Sequence, residues 1–436
     1  MGCGASSAIH RDPALTRAAL SFGQQFELTT PMLVMPFGVF KAQGHIMKST
    51  KAWRDEALAA GSLVEHKEGS SQVVIFISHT WWDRSFTDAT NDPNNPNDVG
   101  APDLQADYPD EQREDIDGCI VTYQRPKNLK WRVICAGVQR LLEQEGLKEE
   151  EVSLWVDWQS IYQDDEAEKL KGVASLIRYA TFCQYMLVPT EEAKLEFEAA
   201  QYIEVPTFNP TWIPAYGDRG WCRIEYFVFS LLAEMRGHEP QLYAILRDGA
   251  LKRYPEFAVY NEREMPSGGA LSNPNDQALV KGLEDKMIEA YVPAILELKC
   301  KAAGGRRVDL RCKMLRPQHV GALFAAVERY RVAELDLTNN QLGAEGGALV
   351  AAALKTNTTL TELGLGYNKL GPEGGMALAE ALKRNTHLKK LKLERNGLDA
   401  PAQQALRAAA RSGLDFFFFH SARSSGREVE LNLYDG

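Results

Sequence analysis

A unit of 28 residues that repeats in the last third of the chain constrains the fold more than any other sequence feature. Four positions recur at this spacing in three successive units: Leu335, Leu363 and Leu391; Leu337, Leu365 and Leu393; Asn340, Asn368 and Asn396; Leu342, Leu370 and Leu398. In each unit the L-x-L core predicts a short strand, the asparagine predicts a turn, and the Ala/Leu-rich segment that follows predicts an outer helix. A single unit cannot bury its own apolar face, so we expect the units to stack.

These units resemble leucine-rich repeats of the ribonuclease-inhibitor type, as the segment LTNNQLGAEG at residues 337–346 illustrates. The resemblance covers about residues 308–410 and implies a short β/α solenoid. Residues 308–330 resemble a degenerate first unit that acts as a cap. We therefore assign residues 301–436 to a leucine-rich-repeat domain.

The strands of such an array present a surface to another macromolecule, so we expect a protein partner there. The candidate partner-binding residues lie on or beside the strands: Glu334, Asp336, Glu362, Tyr367, Lys390, Lys392 and Arg395. A solvated surface is the alternative for each of them. Residues 415–419 and 429–433 are predicted to form strands that cap the open end of the domain.

Composition narrows the classes of partner and cofactor. The formal net charge is -10 and no basic block offsets it, which argues against nucleic acid as the main ligand. The seven cysteines form no CxxC pair, so we expect no metal site, no disulfide framework and a reducing compartment. No stretch approaches the roughly 20 apolar residues of a membrane-spanning helix, and the N-terminus lacks the apolar core of a secretory signal. The expected location is the cytoplasm.

The N-terminus carries a lipidation pattern. The sequence MGCGAS fits N-myristoylation of Gly2, and Cys3 beside it is a candidate for palmitoylation. One myristoyl chain binds a membrane only marginally, whereas two acyl chains form a stable anchor. We therefore interpret residues 1–70 as a lipid-anchored helical lead-in at the cytosolic face of a membrane. A small flexible N-terminus with a chance glycine is the alternative.

Residues 71–300 alternate between apolar strands and amphipathic helices, the order that a parallel sheet with crossover helices requires. The predicted strands cover residues 73–77, 153–158, 185–189 and 241–246, and the predicted helices cover residues 129–145, 166–181, 221–235 and 276–299. Residues 88–118 are rich in Asp, Asn, Pro and Gly and are predicted to form an exposed acidic insertion. No frame within the insertion fits an EF-hand calcium loop.

Three polar and aromatic segments follow or precede these elements, at residues 78–84, 157–165 and 221–225. In a parallel sheet they would converge at the carboxyl ends of the strands, where open α/β sheets form their ligand crevices. They resemble Toll/interleukin-receptor (TIR) domains through an F-I-S strand end, an aspartate-bearing second strand and a W-C-x-x-E helix start. They also resemble fungal heterokaryon-incompatibility domains through LWVD at residues 154–157. The resemblance covers about residues 72–250 and implies a flavodoxin-like parallel sheet domain.

In the NAD-cleaving TIR domains the glutamate of W-C-x-x-E is the catalytic carboxylate, and Glu225 occupies that position. As nicotinamide leaves, the ribose becomes cation-like, and a fixed carboxylate stabilises its charge. The resemblance implies substrate-binding residues at the same edge: Ser78, His79, Trp81, Trp82, Arg84, Asp157 and Trp158. The tryptophans are expected to stack on nicotinamide or adenine, and Arg84 to offset the pyrophosphate charge. NAD would be a substrate, and no cofactor is expected.

The sequence leaves two functions open. In the first, an intracellular, membrane-tethered signalling protein binds a protein partner through its repeats, and its TIR-like domain self-assembles and cleaves NAD. The resemblance implies a role in innate immunity for such a protein. In the second, the same domain is a non-enzymatic adaptor that only pairs with its like. The helix dipole also favours a glutamate in a first helical turn, and Trp221 and Cys222 are typical core residues. A nucleophilic pair of His79 and Cys222 lacks an orienting group in the sequence.

Overall fold

The computed structural model describes residues 18–19, 21–78, 111–114, 120–123, 129–189, 220–237, 241–246, 249–253, 265–271, 274–410 and 414–417. The chain divides into two compact units. One comprises Met1–Phe257 with Arg263–Glu284, and the other comprises Ala258–Glu262 with Asp285–Gly436. We call them the α/β unit and the repeat unit.

The α/β unit alternates strands and helices along most of its described length. Its described strands are β1 (Leu33–Pro36), β2 (Val64–Glu65), β3 (Val73–Ile77), β4 (Glu111–Glu114), β5 (Ile120–Tyr123), β6 (Val152–Val156), β7 (Tyr185–Pro189), β8 (Leu242–Ile245) and β9 (Leu251–Arg253). Its described helices are α1 (Phe37–Gln43), α2 (Lys51–Ala59), α3 (Leu129–Glu145), α4 (Asp157–Ser160), α5 (Glu166–Ala174), α6 (Leu176–Phe182) and α7 (Gly220–Arg236), followed by α8 (Gln277–Ala303), which continues past residue 284.

Seven of the strands described here form one sheet in the order β2-β1-β6-β3-β7-β8-β9. The central strands β6, β3, β7 and β8 are parallel to one another, whereas β1, β2 and β9 pair antiparallel at the two edges. Numbered along the chain, the four parallel strands lie in the spatial order 2-1-3-4. The unit is therefore a mixed, parallel-rich α/β sheet with helices. The alternation of elements in the sequence predicts the parallel strands but not the antiparallel edges.

Apolar residues on the central strands explain why these strands lie in the interior. The runs VVIFI in β3 and VSLWV in β6 are almost entirely buried, as expected for parallel strands covered on both faces. Phe76 stacks on Trp155 at a centroid distance of 4.3 Å and meets Phe229 edge-on at 5.4 Å. Gly137 lets α3 approach the sheet closely, since a Cβ atom there would lie 2.5 Å from Cδ1 of Ile245.

Part of the predicted helical lead-in is strand. Residues Leu33–Pro36 form β1, which pairs antiparallel with β6 and extends the sheet. The run is only four residues long, too short for its alternation to reveal a strand. Likewise, Glu111–Glu114 falls within the predicted exposed insertion but pairs antiparallel with β5. Residues 88–110 lie outside the described residues.

The helix predicted over residues 166–181 is two helices, α5 and α6, which meet at Ser175. The Ser175 hydroxyl donates to the carbonyl of Lys171 at 3.0 Å and accepts from the backbone N–H of Thr29 at 2.9 Å. A serine that bonds to its own preceding turn competes with regular helical bonding, which accounts for the break.

The repeat unit has the regular element order that the 28-residue spacing predicts. Its described strands are β10 (Arg307–Asp309), β11 (Glu334–Asp336), β12 (Glu362–Gly364), β13 (Lys390–Lys392) and β14 (Asp415–Phe417). Its described helices are α9 (Val320–Arg329), α10 (Gly343–Leu354), α11 (Gly371–Leu382) and α12 (Ala400–Ala409). The strands form a parallel sheet in chain order, with Leu335, Leu363 and Leu391 in register. Residues 429–433 of the predicted cap lie outside the described part of the chain.

The repeated asparagines are buried and bind backbone groups of adjacent units. The amide nitrogen of Asn396 donates to the carbonyls of Leu365 and Leu393 at 2.8 and 3.1 Å, and its oxygen accepts from the N–H of Asn368 at 2.9 Å. A second asparagine position, 357 and 385, does the same at the end of the helices. The amide nitrogen of Asn385 donates to the carbonyl of Leu354 at 2.7 Å. We call the two sets of aligned asparagines, at positions 340, 368 and 396 and at positions 357 and 385, the asparagine columns. Both columns link adjacent repeats through hydrogen bonds.

Candidate functional site

The end of β3 lies beside the point where the order of the parallel strands reverses. Ser78 follows β3 directly, is 1% exposed, and donates its backbone N–H to the carbonyl of Leu187 in β7 at 3.0 Å. In open α/β sheets with this strand order, the crevice between the first and third parallel strands is the usual ligand-binding position. Ser78 therefore stands at the edge of the sheet where a ligand would be expected.

Glu225 meets Ser78 at this edge. It lies in the second turn of α7 and is half-buried, and its Oε2 atom accepts a hydrogen bond from the Ser78 hydroxyl. The two residues are 147 positions apart in the chain. The structure thus brings together two of the residues that the sequence analysis selected from separate motifs. A hydroxyl donor of this kind restricts the orientation of the carboxylate that accepts from it.

The first turn of α7 is held by a segment that follows it in the chain. The N–H of Gly220 donates to the carbonyl of Ala270 at 2.8 Å, and the indole N–H of Trp221 donates to a carboxylate oxygen of Asp276 at 2.9 Å. The buried Arg223 guanidinium donates to the carbonyl of Met265 at 3.2 Å. Sequence reasoning missed these bonds because no local motif links residues 42 to 55 positions apart.

Asp157 and Trp158 lie in the short helix α4, directly after β6. The Asp157 carboxylate accepts from the backbone N–H of Trp158 at 2.6 Å. The centre of the Trp158 ring lies 5.8 Å from the Lys48 ammonium. The backbone carbonyl of Trp158 accepts a hydrogen bond from the N–H of Ser49 at 2.9 Å. The other predicted substrate-binding residues, His79, Trp81, Trp82 and Arg84, lie outside the described residues.

The polar residues that follow α4 cap helices. The Asp164 carboxylate accepts from the N–H of Lys51 at the start of α2, at 3.0 and 3.2 Å. The Asp165 side chain accepts from the N–H of Glu168 at 3.1 Å and caps α5. These bonds satisfy N–H groups that a helix leaves without partners at its start. The segment at residues 157–165 thus has a structural role in addition to its resemblance to the known domains.

The predicted lead-in supplies an arginine that holds this same loop. The buried Arg54 donates to the carbonyl of Ser160 at 2.9 Å, and its guanidinium stacks 3.7 Å from the ring centre of Tyr162. Burial lowers the pKa of Arg54 below its ordinary value. Beyond the lipid anchor, sequence reasoning placed no function in residues 1–70, yet Arg54 fixes a loop at the carboxyl edge of the sheet.

Three of the described thiols do not favour nucleophilic chemistry. Burial raises the pKa of Cys135 to about 12 and that of Cys300 to about 11, and it raises the pKa of Cys183 further. Such thiols stay protonated near neutral pH and react slowly. Within the described residues, no group of three or more His, Cys, Asp and Glu side chains is arranged to hold a metal ion.

The strands of the repeat unit form a second candidate site, a surface of paired charges. Glu362 lies between Lys392 and Lys390, with nitrogen-to-oxygen distances of 2.7 and 3.5 Å. At the other end of the sheet, Arg311 binds Asp309 through two nitrogens. The hydrogen bonds from Arg311 lower the pKa of Asp309. Exposed charge pairs of this kind contribute little to stability but fix the orientation of a partner.

Tyr367 and Arg395 occupy equivalent positions in the turns after β12 and β13. Both have left-handed backbone conformations, with φ of 58° and 56°, and so does Asn339 one unit earlier, at 57°. Asparagine tolerates this region, whereas larger side chains rarely adopt it. Tyr367 is nonetheless 50% exposed, so its conformation is not explained by burial in the core.

Comparisons with known proteins identify the repeats. Residues 333–351 and 356–379 match a family model described as leucine-rich repeat. A search of curated proteins finds no significant match. One solved structure, the actin-binding site 2 of leiomodin-1, aligns with 29% of this chain and 79% of its own, at 18% identity and a TM-score of 0.26. The family match shows that the chain carries leucine-rich repeats. No described helix is both long enough and apolar enough to cross a membrane.

Proposed function

We propose that this protein is a signalling protein whose repeat unit binds a protein partner through its strand surface. The observation that carries the proposal is the match to leucine-rich repeats, together with the in-register strands that bear Glu334, Asp336, Glu362, Lys390 and Lys392 side by side. Continuous arrays of this kind serve as extended binding surfaces when stacked as a solenoid. Tyr367 and Arg395 continue the surface into the turns.

Site-directed photocrosslinking in cells tests the partner-binding surface. A photoreactive residue at Glu334 or Lys392 should give one discrete crosslinked band. The same residue at Glu345 or Glu373, which are exposed in the first turns of α10 and α11, serves as the matched control. Equal crosslinking from strand and helix positions would contradict recognition through the strands.

We further propose that the α/β unit is a flavodoxin-like, TIR-like domain that cleaves NAD when it self-assembles. The 2-1-3-4 order of its parallel strands and the hydrogen bond from Ser78 to Glu225 at the reversal point support this proposal. Glu225 would stabilise the cation-like ribose as nicotinamide leaves, and Ser78 would orient the carboxylate. His79, Trp81, Trp82, Arg84, Asp157 and Trp158 are proposed to complete the substrate-binding site. NAD is then a substrate, and no cofactor is invoked.

Nicotinamide release from NAD by the full chain, concentrated or clustered on beads, tests this second function. Glu225→Gln keeps an acceptor for Ser78 but removes the charge, and should reduce release at least about a hundredfold. Glu234→Gln, at the far end of the same helix, should leave it unchanged. If no clustered sample releases nicotinamide, the bond between Ser78 and Glu225 only joins β3 to α7, and the unit is an adaptor.

Membrane attachment through Gly2 and Cys3 completes the proposal, because a membrane concentrates chains that must assemble. Labelling of the wild type with an alkyne myristate analogue is expected, and Gly2→Ala should abolish it. Cys3→Ser should retain the myristate but release the protein from membranes. An unlabelled wild type would exclude the anchor while leaving the repeat and NAD proposals intact.

A further inference from the structure

The middle of the repeat strand surface lacks side chains where its neighbours have them. Gly364 is in register with Asp336 on one side and Lys392 on the other, and Gly366 follows two residues later. Neither glycine has a positive φ, so the backbone does not require glycine at these positions. We call Gly364 and Gly366, with the side chains that flank them, the glycine notch.

Two carboxylates reach over this notch, one from β11 and one from the turn that follows β13. A Cβ atom on Gly364 would lie 2.8 Å from Oδ1 of Asp336, and one on Gly366 would lie 2.7 Å from Oε1 of Glu394. Like charges that share a small concave space raise its affinity for a cation. The notch is thus negatively charged, although Lys392 lies in register with Gly364 in the adjacent strand.

Asp336 and Glu362 are each paired with basic side chains, whereas one oxygen of Glu394 has no partner in the part of the chain that the structure describes. Asp336 directs its other oxygen, Oδ2, toward Arg307 and Arg311, at 3.7 and 3.8 Å. Glu362 holds Lys390 and Lys392. By contrast, the Oε2 atom of Glu394 is buried and has no hydrogen-bond partner among the described residues. A buried charged acceptor without a partner is unfavourable, so the flexible Glu394 side chain would gain by turning this oxygen toward a donor supplied from outside.

An exposed aromatic residue follows the notch directly in the chain. Tyr367 directly follows Gly366 and is half-exposed, in a left-handed conformation that does not favour tyrosine. Aromatic faces attract Lys and Arg side chains, and tyrosine is among the residues that dominate binding energy at protein interfaces. A metal ion fits less well, because the described residues include no cluster of three or more acidic, His or Cys ligands.

We propose that the partner of the repeats inserts one basic side chain, lysine or arginine, into the glycine notch between Asp336 and Glu394 and against Tyr367. This inference rests on the proposed role of the strand surface and specifies the chemistry of its partner. An extended protein segment fits the surface, since the strands beneath it are parallel and in register. A guanidinium offers the more complete match, because its planar group can bind a carboxylate and stack on a ring together.

Selection of random displayed 12-residue peptides on the immobilised full chain tests the proposal and does not require the natural partner. Peptides enriched on the wild type should share a Lys or Arg at one position. Replacing that residue by citrulline or acetyl-lysine should weaken binding at least about tenfold. Glu394→Gln should have the same effect, whereas Glu373→Gln on α11 should have none.

Gly366→Ala supplies a variant that keeps every charge. Its new methyl group would displace the flexible end of Glu394, so binding should fall as in Glu394→Gln while the thermal midpoint stays at the wild-type value. The insertion of a basic side chain into the notch would be refuted by peptides that bind the strand surface without a Lys or Arg, or that bind Glu394→Gln as tightly as the wild type. Partner recognition by the strand surface would remain intact in that case. If no selected peptide is displaced by changes at Glu334 or Lys392, partner recognition by this surface fails as well.

Discussion

The two units of this protein use opposite means to position functional side chains. In the repeat unit the same contacts recur every 28 residues, so Leu335, Leu363 and Leu391 are aligned by the spacing itself. In the α/β unit the pair Ser78 and Glu225 occurs once and joins residues 147 positions apart. A repetitive surface can therefore be predicted from the sequence spacing, whereas a unique site depends on the whole fold around it.

The largest effect is expected from Leu363→Ala, in the middle strand of the repeat sheet. Leu363 is fully buried, and its truncation leaves a cavity between adjacent units. We expect a loss of about 2–5 kcal/mol in the free energy of unfolding, measured by denaturant titration. Leu349→Ala is the matched control, because Leu349 is 41% exposed on α10. Equal losses would show that the repeat register does not carry the stability of this unit.

Asn396→Ala removes one rung of the asparagine column and should cost about 2–3 kcal/mol, because buried N–H and C=O groups of two units lose their partners. Asn396→Asp keeps the accepting oxygen but turns a second, charged oxygen against the buried carbonyls of Leu365 and Leu393, so a loss at least as large is expected. Denaturant unfolding measures both. A wild-type midpoint for Asn396→Ala would mean that water replaces the side chain and that the column is not required.

Much of the repeat unit could be predicted from sequence because its signals are local and redundant. Spacing alone indicated the strands and the buried asparagines at positions 340, 368 and 396. The second column, Asn357 and Asn385, has the same spacing of 28 residues, so the sequence contains the signal for it as well. By contrast, the contributions of β1 and Arg54 to the α/β unit left no periodic signal, since each depends on one contact with a distant segment.

The candidate site was partly predictable for the same reason. Ser78 and Glu225 each end or open a recognisable element, and parallel strands bring such ends to one edge. Trp221 and Arg223 could not be assigned, because their partners Asp276 and Met265 lie in an irregular segment without a motif. Likewise, Asp164 and Asp165 belong to the segment that carries the resemblance and also cap helices, and the sequence alone does not distinguish a binding role from a capping role.

Acidification is expected to weaken the repeat unit through His319. Burial lowers the pKa of His319 below 6.5, despite the opposing effect of Glu289. The folded state therefore binds its proton less readily than the unfolded state, so stability is complete above pH 6.5 and is lost as pH falls through the folded pKa. Protonation of Nδ1 would also break its bond with the N–H of Arg316. In the wild type the thermal midpoint should be lower at pH 5 than at pH 7.5, and in His319→Gln this difference should become smaller. If the difference is the same in both proteins, His319 is not the residue responsible.

The smallest effect is expected from Tyr367→Asn, and its two readouts should move in opposite directions. Asparagine tolerates the left-handed backbone of Tyr367, so the repeat unit should gain about 1 kcal/mol. Binding of peptides selected on the wild type should nevertheless weaken. Arg331→Asn, another exposed left-handed position, controls for the backbone effect alone. Stabilisation without loss of binding would remove Tyr367 from the recognition surface.

Nicotinamide release by bead-clustered full-length protein is the most direct test of the central claim. The claim is that the α/β unit carries a catalytic site, while the repeats only bind a protein partner. We expect the wild type and Glu234→Gln to release nicotinamide at equal rates, and Glu225→Gln to release almost none while its photocrosslinking from Glu334 is unchanged. Release that persists in Glu225→Gln would contradict the account, because the reaction would then not depend on the carboxylate that Ser78 holds.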